Sequence, residues 1–183
     1  RGAEPLRALA RGDDGLEAVA LRYFNVFGPN EDHKGDMRSV VNKAFRQIRE
    51  NGRVHLFKSH RPEFADGEQR RDFLYVKDAV EMTLDLVAEP GANGLFNIGS
   101  GKSHTWRELV TAVFGALGRP VEIECIEMPA ELRAKYQYAT EASLERLHEA
   151  GYRRPITPLA DAVRDCVTQY LVPGKHLGDE PAS

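Results

Sequence analysis

The chain has few cysteines and no long apolar run. Its two cysteines, Cys125 and Cys166, are too few and too far apart for a disulfide framework or a metal site. We expect both to be buried apolar groups in a reducing compartment. No stretch approaches the roughly 18 consecutive apolar residues of a membrane span, and no signal peptide opens the chain. The sequence therefore predicts a soluble cytoplasmic protein with no membrane partner.

The chain also lacks an excess of positive charge. It carries 25 basic and 28 acidic residues, a formal net charge of −3. This balance gives no polycationic field for sequence-independent nucleic-acid binding. Any anionic ligand must be met by a local cluster of basic groups.

Two nucleotide-binding motifs are missing as well. No G-x-G-x-x-G follows a strand, and "NIGSGKSH" at 97–104 lacks the upstream glycine that a phosphate loop needs. No Ser-His-Asp order, metal-ligand spacing or heptad run is present either. The sequence thus disfavours a nucleoside triphosphate site and predicts no metal site.

What the chain does have is an alternation of apolar strands and amphipathic helices, which is typical of an α/β fold. The first half predicts a buried, parallel strand at 17–27, a helix at 37–50 and a strand at 53–57. A loop at 58–72, a short strand at 73–76 and a helix at 77–88 are predicted to follow. The second half predicts a strand ending in glycines at 94–101, a helix at 103–117 and a strand with one solvated face at 121–128. Two helices are predicted to follow, at 141–150 and 157–171. Ser103 or Thr105 can cap the second-half helix that ends at 117.

The two ends of the chain carry their own predictions. Residues 1–12 have the pattern of the last part of a helix that began earlier, so we expect the natural protein to be longer at its N-terminus. Residues 173–183 have no apolar face and are expected to fray.

Four polar groups are candidates for chemistry, and each also has a purely structural interpretation. Asn25 ends a strand, where ligands bind in open parallel sheets, or it caps a turn. Lys34, between a histidine and a glycine, can transfer a proton or be a solvated loop charge. The loop pair Arg70-Arg71, followed by Asp72, can bind a phosphate or be surface charge. Tyr136, placed with Tyr138 on one strand face by "KYQYAT", can hold a phosphate or sugar, or simply pack.

Three segments together resemble the C-terminal half of an extended short-chain dehydrogenase/reductase acting on nucleotide sugars: "LRYFNVFGP", "RRDFLYVKDAVEMTLDLV" and "GLFNIGSGKSHTWRELV". A finer similarity is to the ADP-L-glycero-D-manno-heptose 6-epimerase family. It is carried by "GPNEDHKGDMRSVV", "LFKSHRPEFADGEQRRDFLYV" and "MPAELRAKYQYAT". Related 4-epimerases and 4,6-dehydratases share the R-Y-F-N-x-x-G-P core but not the H-K-G turn.

The resemblance implies a fold, a reaction and a division of the chain. It implies the end of a Rossmann sheet with an active-site turn at 1–36, and a substrate-binding region at 37–172. Residues 72–100 would partly return to the Rossmann sheet, and 173–183 would form a flexible tail. It implies a bound NADP, with NAD possible, that transiently oxidises carbon six of ADP-heptose and returns the hydride to the opposite face. It also implies a role in lipopolysaccharide core synthesis and a homo-oligomeric full-length form.

The resemblance also assigns roles to particular residues. Lys34 would be one of two acid/base groups, and Val26 would pack with Lys34 beside the nicotinamide. Asn25 and Asp36 would line the sugar and Lys43 would contact the substrate, although relatives often carry serine and histidine where Asp36 and Lys43 stand. The remaining implied residues would hold the ADP portion: Phe57, Lys58, Ser59, His60, Arg71 and Tyr136.

Three functions remain open at this stage. The first is the substrate-binding half of an ADP-heptose 6-epimerase. The second is another nucleotide-sugar 4-epimerase or 4,6-dehydratase, which would bind UDP- or dTDP-sugars. The third is a non-catalytic fragment that only binds sugar nucleotide or a partner subunit. Because the chain contains neither a glycine-rich turn nor Y-x-x-x-K, we expect it to be inactive alone.

Overall fold

The computed structural model describes residues 18–179, so the predicted helix end at 1–12 lies outside the described residues. The strands are β1 (Val19–Tyr23), β2 (Asn25–Phe27), β3 (Val54–Phe57), β4 (Arg70–Tyr75), β5 (Gly94–Ile98), β6 (Ser103–Thr105) and β7 (Ile123–Ile126). The α-helices are α1 (Val40–Asn51), α2 (Val76–Ala88), α3 (Trp106–Ala116), α4 (Ala130–Arg133), α5 (Glu145–Glu149) and α6 (Leu159–Asp165). A 3₁₀ helix spans Asp32–Met37, and a π-helix, Cys166–Leu171, continues α6.

The strands form three small sheets. β1 pairs with β5 in parallel, and β3 pairs with β7 in parallel. In the third sheet β4 lies between β2, which is parallel to it, and β6, which is antiparallel. The α/β class predicted from the sequence is confirmed, with parallel pairing dominant.

The prediction of one buried strand over 17–27 is wrong in two respects. The chain turns at Phe24, where the Val26 amide donates to the Phe24 carbonyl at 2.7 Å, so β1 and β2 belong to different sheets. In addition, Arg22 and Tyr23 are exposed at the end of β1, which has only β5 as a hydrogen-bonded neighbour among the described residues.

Strand β4 connects two hydrophobic cores. Phe73 and Tyr75 face one core, which α1, α3 and α6 complete, whereas Leu74 faces the other, beneath α2 and β5. This division follows from the two-residue repeat of a strand. The strand begins at Arg70, so the loop predicted over 58–72 is shorter than expected.

Local sequence signals set the helix ends. α1 begins at Val40, not at the predicted residue 37, because Gly35 takes a left-handed φ of 51° and the Ser39 side chain then accepts from the Asn42 amide. The predicted cap at Thr105 is confirmed: it forms a capping box with Glu108 at the start of α3.

Two smaller predictions need correction. Residues 135–140 form no strand, although the Tyr136 and Tyr138 rings meet edge to face at 5.4 Å. Cys166 is buried as expected, but Cys125 is partly exposed. Burial raises the pKa of the Cys166 thiol to about 12. In the described part of the tail, Asn30 exchanges two hydrogen bonds with the Leu177 backbone.

Candidate functional site

A cleft of about 230 Å³ opens where β2 runs into the 3₁₀ helix. Asn25, Val26 and Lys34 all line it, as does Trp106 from the start of α3. We call it the lysine cleft. Three of the residues predicted to meet the sugar and the nicotinamide are therefore brought together at one point.

Lys34 is held in the lysine cleft by a buried carboxylate. Its Nζ lies 3.3 Å from Oε1 of Glu31, which is only 4% exposed, whereas the Lys34 side chain is 43% exposed. Glu31 also accepts from the Ser39 hydroxyl at 2.5 Å and from the Ser39 amide at 3.2 Å. The lysine is thus tied to the residue that caps α1. A buried carboxylate needs such partners to be stable.

A second cleft, of about 280 Å³, adjoins the first. Lys43, Phe57 and Tyr136 line it, and Val40 and Trp106 form walls of both clefts. We call it the aromatic cleft, because three of its walls are aromatic rings. The predicted substrate residue Lys43 therefore lies in this cleft, apart from Asn25 and Lys34.

Arg71 lies beside the aromatic cleft, although it does not line either cleft. Its guanidinium carbon is 5.2 Å from the Tyr136 ring centre and 5.7 Å from the Trp106 ring centre. Its only side-chain hydrogen bond within residues 18–179 goes to the Arg70 carbonyl, and no carboxylate there pairs with it. Burial lowers the pKa of Arg71. A buried guanidinium without a counter-ion has donors left for an anion.

The other predicted residues have different surroundings. Lys58 and His60 both lie beside the carboxylate of Glu127. Lys58 Nζ donates a 3.0 Å hydrogen bond to it, and this bond raises the pKa of Lys58. The Ser59 amide donates to Asp66 at 2.7 Å. Asp36 is exposed and lines neither cleft.

Among the cleft residues that were not predicted, Glu31 and Trp106 contribute polar or aromatic contacts to the site. Glu31 stands three residues before Lys34, a spacing that allows an ion pair, but nothing in the sequence indicates that it is buried. Trp106 is the only tryptophan of the chain and follows the cap residue Thr105 directly, a signal that could have been used.

Size alone does not identify the site. A larger hollow of about 530 Å³, bordered by Arg46, Arg49 and Tyr170, contains none of the predicted residues. Within residues 18–179, no group of three or more His, Cys, Asp and Glu is placed to hold a metal ion. No helix in that part of the chain is long and apolar enough to cross a bilayer.

The clefts lie on a fold that known proteins share. Residues 2–99 match the profile of the NAD dependent epimerase/dehydratase family, and the chain belongs to that family. Within that family, the chain is similar to proteins named ADP-L-glycero-D-manno-heptose-6-epimerase. One from Nitratidesulfovibrio vulgaris is 54% identical over 157 residues, which are 85% of this chain and 49% of that protein. One from Fusobacterium nucleatum is 42% identical, over 82% of this chain and 47% of that protein.

Solved structures agree with the sequence comparison. Helicobacter pylori ADP-L-glycero-D-manno-heptose-6-epimerase superimposes with a TM-score of 0.71 at 26% identity, over 88% of this chain and 46% of that one. Thermus thermophilus UDP-glucose 4-epimerase, solved with NAD, gives 0.71 at 29% identity, over 90% and 50%. The chain spans about half the length of the curated relatives that it matches.

Proposed function

We propose that this chain supplies the substrate-binding region and one acid/base group of an epimerase that inverts carbon six of ADP-D-glycero-D-manno-heptose. The observation that carries the proposal is the pair of adjoining clefts. One contains Lys34 and Asn25, and the other contains Phe57 and Tyr136. A nucleotide sugar has two chemically different ends, and two adjoining clefts of different character suit it.

In the lysine cleft, Lys34 is the proton carrier. Its ammonium group is anchored by Glu31 while the side chain as a whole is 43% exposed, so Lys34 can reach a sugar hydroxyl. Asn25, exposed at the start of β2, offers an amide that both donates and accepts hydrogen bonds to the sugar. Lys34 serves one face of the carbon, so a second group must serve the opposite face.

The lysine cleft fits the nicotinamide end of a cofactor. Val26 provides a half-buried hydrocarbon wall and Lys34 a donor beside it. NADP, or NAD in its place, would supply the hydride acceptor and donor when bound. The chain itself has no glycine-rich turn for the pyrophosphate, and therefore we infer that it shows no epimerase activity alone.

The ADP portion is assigned to the aromatic cleft and its rim. Phe57 and Tyr136 line the cleft with aromatic side chains, and Lys58, Ser59 and His60 follow directly at the end of β3. Arg71 would neutralise the diphosphate, because a guanidinium fork matches phosphate oxygens. Asp36, being exposed outside both clefts, and Lys43 remain the weakest substrate assignments.

A ligand panel tests this function on the 183-residue chain. By calorimetry, ADP-heptose should bind more tightly than UDP-glucose or dTDP-glucose. Preference for UDP-glucose would favour the second candidate, a 4-epimerase, which the structural similarity to the Thermus thermophilus enzyme supports.

Arg71→Met should weaken ADP-heptose binding by about 10- to 100-fold, the value of charge-assisted hydrogen bonds. Arg49→Met, at an exposed arginine outside both clefts, is the matched control. Equal binding by both variants would remove Arg71 from the site.

A further inference from the structure

Trp106, like Val40, forms a wall of both clefts, and of these two residues it alone carries a hydrogen-bond donor in its side chain. Several contacts fix its position. The capping box of Thr105 and Glu108 holds the start of α3, and the Trp106 amide donates to the Gln69 carbonyl at 3.1 Å. The indole packs edge to face on buried Phe73, with ring centres 4.9 Å apart. The ring is therefore a rigid part of the site.

The Trp106 indole sets the hydrogen-bonding role of Tyr136. Its Nε1–H donates to the Tyr136 hydroxyl oxygen at 3.0 Å. An indole nitrogen can only donate, so the tyrosine oxygen is the acceptor. No other residue in 18–179 hydrogen-bonds that hydroxyl, so its own proton is left to be donated. Burial raises the pKa of Tyr136, although Arg71 opposes the shift, and the group stays a phenol at neutral pH.

The same indole also flanks the uncompensated guanidinium of Arg71. Arg71 is 8% exposed and lies against the faces of both Trp106 and Tyr136. Contacts with ring faces stabilise a cation and limit its orientations. Two donors, one from a phenol and one from a guanidinium, are thus placed side by side, and each depends on Trp106 for its position.

We propose that Trp106 is a positioning residue that orients the Tyr136 hydroxyl and the Arg71 guanidinium to donate to one phosphate group of the bound nucleotide. The proposal rests on the proposed function, because it assumes that a nucleoside diphosphate enters the aromatic cleft. It adds a role for a residue that acts on the ligand indirectly, through its neighbours Tyr136 and Arg71.

Binding of ADP is the first measurement. Because Trp106 is the only tryptophan, the fluorescence of the whole chain reports on this one position. ADP should change the emission in a saturable way, and inorganic pyrophosphate should compete. If ADP does not bind the unmodified chain by calorimetry, the proposed function fails together with this inference.

A double-mutant cycle then tests Trp106 separately. Trp106→Phe keeps a ring against Phe73 and removes the N–H donor, and calorimetry should show a roughly three- to tenfold weaker ADP affinity. Tyr136→Phe should cause a similar loss. The double variant should be no weaker than Tyr136→Phe alone, since phenylalanine at 106 keeps a ring beside Arg71 and removes only the N–H that acts through the Tyr136 hydroxyl. Tyr170→Phe, outside both clefts, is the control.

The cycle distinguishes positioning from general packing. Additive losses in the double variant, or an unchanged affinity in Trp106→Phe, would overturn the inference and leave the proposed function standing. Thermal unfolding of each variant identifies any that has simply lost its fold. Non-additive losses in folded variants support the proposal.

Discussion

At the scale of single residues, Asp72 shows how one buried charge organises the backbone. It is fully buried, and its carboxylate accepts from the Ser100 amide and hydroxyl, the Gly101 amide and the Ala142 amide, all within 2.7–3.0 Å. The turn after β5 and the segment before α5 are thus tied to β4. The same closeness requires a glycine at 99, since a Cβ there would lie 2.5 Å from the Ala142 Cβ.

Replacing this carboxylate should destabilise the chain strongly. Asp72→Asn keeps the shape but turns an amide NH₂ towards backbone donors and removes the charge. We expect a loss of about 2–4 kcal/mol in the free energy of unfolding, measured by urea titration. Asp36→Asn, at an exposed position, should change it by less than about 0.5 kcal/mol. A loss of similar size in both variants would contradict this account of Asp72.

Some cleft residues could be placed from local sequence, whereas others depend on long-range packing. Asn25 and Lys34 could be placed from the sequence, because a strand followed by a Gly-Pro turn brings its end to a ligand-binding edge. Glu31 could not, since its burial depends on how the 3₁₀ helix packs against the start of α1. Trp106 reaches both clefts only because β4 and β6 pair, a long-range contact that local pattern does not specify.

At the scale of secondary-structure elements, Asp165 joins the C-terminal helices to the central strand. Its Oδ2 accepts from the Tyr75 hydroxyl at 2.6 Å and from Lys77 Nζ at 2.8 Å. Burial pushes the Asp165 pKa upward, but the hydrogen bonds from Lys77 and Tyr75 outweigh it and hold the pKa below the ordinary 3.8. This pair of bonds links α6 to the junction of β4 and α2.

The depressed pKa of Asp165 gives a signed prediction for acid. The stabilisation is complete above the unfolded-state pKa and is lost as the pH falls through the folded-state value, below about pH 4. Asp165→Asn should therefore be less stable than the parent at pH 7 and approach it in stability at pH 2–3. Because the ion pair is over a third exposed, the difference at pH 7 should be only about 1 kcal/mol.

Thermal unfolding against pH measures this difference. Asp161→Asn, in the same helix but paired only with exposed Arg164, is the control and should show little difference at any pH. A gap between Asp165→Asn and the parent that stays constant from pH 7 to pH 2 would contradict the linkage.

The elements themselves were predicted better than their pairing. Local signals predicted β3 and β5 from their apolar runs, and they predicted the cap at the start of α3. The division between β1 and β2 was missed, because it arises from a change of partner at Phe24, from β5 to β4. For α2, the regular spacing of Val80, Leu84 and Val87 predicted the helix, yet the buried side is formed by Ala79, Met82 and Leu86.

At the scale of the whole molecule, that outward side of α2 is an apolar surface. Val80, Leu84 and Val87 are 48%, 60% and 75% exposed, and they lie on one side of the helix at spacings of four and three residues. Tyr23 of β1, 49% exposed, extends the surface through a 2.8 Å hydrogen bond to Thr83. Contiguous exposed apolar side chains of this kind are typical of interaction surfaces.

The surface leads to a prediction of self-association, because a contact between two copies would remove its valines and leucine from water. Sedimentation velocity should show a weight-average mass that rises with concentration. Leu84→Glu with Val87→Glu should shift the chain to monomer, because two buried like charges would oppose each other across the contact. Glutamate favours helices, so α2 itself should persist by circular dichroism. Thr111→Glu, at an exposed position of α3, should leave the association unchanged. A mass that is independent of concentration in the parent chain would refute the contact, and an association that survives both charges would place it elsewhere.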